Sequence, residues 1–104
     1  QKRKVNVKMP GSSKLHYSPG IPMRLNVKKN NHGEAFILIK KRKKTNKDYF
    51  YLSKTKNLNE AAKNLYKTLR KIKKNGYKQI AVEKIPNIEI GEAINDRLLR
   101  ASKK

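Results

Sequence analysis

The chain has 104 residues, 28 of them Lys or Arg against seven Asp or Glu, for a net charge of +21 and no cysteine. That length gives room for one domain, and the absence of cysteine excludes a disulfide framework, a thiolate nucleophile and a cysteine-ligated zinc site. The longest apolar run, AFILI, falls far short of the ~18 residues of a membrane span, and no apolar signal-peptide core follows the basic N-terminus, so a soluble cytoplasmic protein is expected.

Gln1 to Val7 alternates charge with Val5 and Val7, as a short extended arm would, and the start at Gln1 points to a piece of a longer polypeptide. PGSSKLHYSPG, Pro10 to Gly20, cannot hold a helix or a central strand, because Pro lacks an N–H and Gly costs backbone entropy. Leu15, His16 and Tyr17 nevertheless give that segment something to dock with. Residues 1–21 therefore read as a linker or arm and 22–104 as the folded domain. A domain that small buries a modest core, so support from a neighbouring domain or from a second copy in a homodimer is expected.

In PMRLNV, period two places Met23, Leu25 and Val27 on one side of a strand. NNHG is a turn by composition, with His32 exposed in it. EAFILIK is an unbroken apolar run, the mark of a strand covered on both faces in a parallel sheet. KRKKTNKD reads as a solvated basic loop and YFYLS as another strand.

The clearest element is NLNEAAKNLYKTLRKIKKNG. Asn57 can cap a helix with Glu60 three residues on, and Leu58, Ala61, Ala62, Leu65, Leu69 and Ile72 then form one apolar stripe. Lysines gather in the last turn, and Gly76 supplies the left-handed stop. QIAVEKI is a strand ended by Pro86, and GEAINDRLLRASKK is a second helix with Glu92 near its positive end and Lys103 and Lys104 near its negative end. Ala93, Ile94, Leu98 and Ala101 face inward there, and Asp96 can pair with Arg100. The order β–β–β–α–β–α contains one βαβ unit, from YFYLS to IAVEK, whose crossover makes those strands parallel. The class is α/β.

Candidates for chemistry are few. Glu60, Glu92 and Asp96 are accounted for by helix ends and pairs, and Glu34, Asp48, Glu83 and Glu89 are isolated in sequence. No glycine-rich phosphate loop and no metal-ligand pattern is present. His16 and Tyr17 stand on a segment that can close over a ligand, or pack their rings on a neighbour. Gly91 and Glu92 begin a helix just past a strand's carboxyl end, the usual ligand crevice of open α/β sheets, although a plain helix start explains them equally. The charge also reads two ways. Clustered cations suit a nucleic-acid partner, yet the surplus is mostly lysine, travels with the Asn and Ile of AT-rich codons, and occurs almost everywhere, where an RNA surface favours arginine with aromatics interleaved.

Two stretches resemble one family. PGSSKLHYSPGIPMRLN is similar to the interdomain segment of two-domain threonylcarbamoyl-AMP synthases, with its Pro-Gly and His-Tyr-x-Pro core, and LNEAAKNLYKTLRKIKKNGYKQIAVEKIPNIEIGEAINDRLLRA resembles the end of their C-terminal domain. Glu89 departs from the pattern, standing where such sequences often have glycine. The resemblance implies a small Rossmann-like domain of two or three layers, with about four mostly parallel strands and two helices. It implies a full-length enzyme whose YrdC-like N-terminal domain condenses threonine, bicarbonate and ATP, with magnesium, into threonylcarbamoyl-AMP and pyrophosphate for tRNA modification. His16, Tyr17 and Pro19 fall on the linker core that helps cover that domain's nucleotide site. The present chain would carry no catalytic residue, no metal site and no cofactor, and would be inactive alone. Its partner would be the catalytic domain, with weak tRNA contact through the basic surface; the alternative is a small basic RNA-binding protein.

Overall fold

Residues 35–38 are apolar without interruption, and such a strand must be shielded from water on both faces. The computed structural model, which describes residues 20–102, places it at the centre of a four-stranded sheet. The strands are β1 (Met23–Arg24), β2 (Ala35–Leu38), β3 (Tyr49–Tyr51) and β4 (Ile80–Val82), in the order β1-β4-β2-β3, all parallel. Ala35, Phe36 and Ile37 of β2 align with Ile80, Ala81 and Val82 of β4, while Phe36, Ile37 and Leu38 align with Tyr49, Phe50 and Tyr51 of β3.

Helix α1 (Leu58–Lys74) joins β3 to β4, and α2 (Ile90–Ala101) follows β4. Both lie on one face, where Ala61, Leu65, Leu69 and Ile72 of α1 and Ile94, Leu98 and Ala101 of α2 meet Ala35, Ile37, Ile80 and Val82 in a single core. Burying each of these Leu and Ile side chains contributes ~1.5–3 kcal/mol. The fold is therefore two-layered. Phe36, Leu38 and Ala81 point the other way and form a second, smaller cluster with Val27, Tyr49 and Tyr51.

The expected capping of α1 is half realised. The Asn57 side chain accepts from the Glu60 backbone N–H, but the Asn57 N–H donates to the Ser53 hydroxyl and not to Glu60. At the other end Gly76, at φ 87°, lets its own N–H reach Lys73 and the Tyr77 N–H reach Ile72, closing a Schellman motif. Of the inward residues expected on α2, Ile94, Leu98 and Ala101 are buried and Ala93 is half-buried. Arg100 pairs with Asp96 at 2.9 Å, both exposed, which contributes only a few tenths of a kcal/mol.

The strand expected over 22–27 is corrected. It stops at Arg24 because Asn26 adopts φ 59°, which reverses the alternation. Met23 and Leu25 join the main core, whereas Val27 crosses to the opposite cluster, its N–H bonded to the Val82 carbonyl. Ile21, at the end of the expected linker, is buried with the main core. The arm at Val5 and Val7, most of the linker, and Lys103 and Lys104 lie outside the described residues.

Two residues govern the start of α2. Glu89 sits at φ 49°, ψ −132°, a region suited to glycine, and its side chain makes no cap. Gly91 is buried, and a Cβ there would overlap the Pro86 carbonyl oxygen. Glu89→Gly is expected to stabilise the fold by about 1 kcal/mol, a melting shift of roughly 5 °C. Gly91→Ala should cost about 2–3 kcal/mol, and paired thermal melts of the two variants check both.

Candidate functional site

In an all-parallel sheet every strand runs toward the same edge, so the loops after β3 and β4 deliver the N-termini of α1 and α2 to that edge. Between them lies a cavity of about 370 Å³ lined by Ile39 and Lys40 after β2, Glu83 and Lys84 after β4, Lys56 before α1 and Pro86 before α2. A neighbouring groove of about 620 Å³ shares Glu83 and Lys84 and continues past Leu25, Asn26, Asn87 and Asn95 to Leu99. Lys56 holds φ 63°, an uncommon conformation for a residue with a side chain.

Three lysines beside two helix N-termini suit an anionic group. Among the described residues the same cavity offers no nucleophile with a base beside it. Glu83 is committed: one of its carboxylate oxygens accepts the Ile39 N–H at 3.1 Å and the other accepts from Arg42 at 3.3 Å.

Glu34 and Asp48 are committed as well. Glu34, 1% exposed, accepts two hydrogen bonds from the Arg24 guanidinium, at 3.0 and 2.7 Å, and one from the Asn31 N–H at 2.8 Å. The Arg24 bonds hold its carboxyl below the usual carboxylate range, although burial works in the opposite direction. Asp48 accepts from the Tyr77 hydroxyl at 2.6 Å. Burial first, and then that bond and the carboxylate's charge, push the Tyr77 phenol up to about 12. These acids fasten loops to the sheet.

Of the residues singled out in the sequence, His16, Tyr17 and Pro19 lie outside the described residues. Gly91 and Glu92 do stand at the carboxyl edge of the sheet, Gly91 buried against Pro86 and Leu58 and Glu92 exposed in the first turn of α2. Neither is among the residues lining the two cavities there. His32 is exposed in its turn, as expected. Lys40, Lys56 and Lys84 are brought together without having been foreseen. Their only sequence signal is that each stands just after a strand or just before a helix cap.

The chain matches the threonylcarbamoyl-AMP synthase C-terminal domain family over residues 1–103. It belongs to that family. No curated protein and no solved structure matches it. As a threonylcarbamoyl-AMP synthase C-terminal domain, it brings the α/β fold described above to a tRNA-modification enzyme. No described helix is long and apolar enough to cross a membrane.

The Glu34 bonds predict an acid limit to stability. Its native carboxyl titrates below its unfolded value of ~4.3. The stabilisation is therefore complete above that value and is lost as pH falls through the lowered native one. Urea midpoints of the native chain should exceed those of Glu34→Gln at pH 7, and the gap should close on acidification below about pH 4.

Proposed function

We propose that this chain is the accessory part of an L-threonylcarbamoyladenylate synthase, residues 1–21 serving as the interdomain linker and 22–104 as the C-terminal domain. The family match through residues 1–103, which takes in the linker as well as the folded part, carries the reading. The reaction of the whole enzyme joins threonine, bicarbonate and ATP into threonylcarbamoyl-AMP and pyrophosphate, and its catalytic groups belong to an N-terminal domain outside this chain. Among the described residues no cluster of His, Cys, Asp or Glu could hold a metal ion.

In this reading the segment carrying His16, Tyr17 and Pro19 lies across the catalytic domain and helps close its nucleotide site. Excluding water there protects an acyl-phosphate anhydride from hydrolysis and strengthens the electrostatics of the site. Tyr17 is the residue expected to approach the substrate cavity. The folded domain anchors the linker from the other side, where Ile21 packs into its core.

The test uses the full-length enzyme. Tyr17→Ala should lower turnover about tenfold, or release intermediate into solution, with the melting temperature unchanged; unchanged kinetics and retention of the intermediate would remove Tyr17 from the mechanism. The 104-residue chain by itself should release no pyrophosphate from ATP, threonine and bicarbonate.

A further inference from the structure

The charge of this molecule is not evenly spread. Residues 40–78 hold fifteen Lys and Arg against Asp48 and Glu60, net +13, whereas residues 79–102 hold three against four acids, net −1. Codon bias acts on a whole gene and gives no reason for such a step inside one domain. The two helices make the same contrast. In α2, Glu92 and Asp96 balance Arg97 and Arg100, while α1 sets six Lys and Arg against Glu60 alone. Lys63, Lys67 and Lys71 form a same-sign row at i, i+4 spacing, which costs helix stability.

The fold turns this segregation into a surface. β3 is an edge strand, and α1 runs beside it. The groove between them, about 720 Å³, is lined by the exposed Lys47, Lys54, Lys67 and Lys71 and by the half-buried edge strand, whose Tyr49 and Tyr51 rings pack on the opposite face, and among the described residues no carboxylate lines it. The nearest acid in sequence, Asp48, is engaged by Tyr77.

We propose that the β3–α1 groove binds RNA, its four lysines taking successive phosphates. Lysines on flexible stems follow a backbone and displace its counterions. A membrane surface would need apolar anchors beside the cations. Among the described residues the exposed large apolar ones, Ile88, Ile90 and Leu99, all lie instead on the near-neutral segment. This assignment rests on charge and shape, and it stands or falls independently of the linker's role.

Anisotropy titrations of a labelled tRNA transcript with the full chain, between 50 and 200 mM salt, test it. K47A/K54A/K67A/K71A should bind at least tenfold more weakly near 150 mM and lose about three units from the log–log salt slope. K28A/K29A/K78A/R97A, which removes as many charges from outside the groove, should stay within threefold of the native chain. K67A/K71A, which relieves a same-sign helical pair, should keep the native circular dichroism and show part of the loss if the fourfold variant does not fold. Equal losses in the groove and control variants would overturn the proposal. So would a defect confined to phosphatidylserine vesicles, or native binding weaker than about 10 µM at 150 mM salt.

Discussion

The central strand β2 is buried on both faces, and the described residues supply helices to only one of them. On the helix-free face, Phe36 and Leu38 are shielded by the segments that follow β1 and β2. Two carboxylates hold those segments down. Glu34 fastens the turn at residues 29–34 through Arg24 and the Asn31 N–H, and Glu83 fastens the loop after β2 through Arg42 and the Ile39 N–H. Arg42 then lies 4.9 Å from the Phe36 ring centroid and donates to the Lys28 carbonyl, tying both loops together. In a chain of +21, acids placed here relieve repulsion at the same points where they close the second face.

This arrangement occupies most of the acids among the described residues. Glu34, Asp48 and Glu83 each have fixed hydrogen-bonding partners, and Glu60 and Asp96 belong to helix ends and pairs. A domain that spends its acids on its own architecture is suited to positioning and binding. The chain belongs to the family of threonylcarbamoyl-AMP synthase C-terminal domains.

Much of this was legible in the residues. The apolar run at 35–39, the stripe of α1 and the Asn57 cap each act locally, so their outcomes follow from spacing alone. The left-handed Asn26 was not, because an Asn in a strand-like alternation carries no mark that it will reverse the faces. Glu89 was half legible: it stood out where glycine is usual, but only the backbone shows the helix start keeping the glycine-like geometry around it. The convergence of Lys40, Lys56 and Lys84 depends on strand order, which local patterns do not encode. The charge step between residues 78 and 79 was available in the sequence, yet its meaning depends on α1 and β3 sharing one flank.

That step makes the domain an electric dipole. A polyanion approaching it exerts a torque as well as a pull, turning the β3 side forward and leaving the Leu99 side behind. At physiological ionic strength such a field fades within about 8 Å, so the turning is confined to the last few layers of water before touch. For a body tethered to a larger one, the orientation imposed there decides which of its sides stays free to face its own chain.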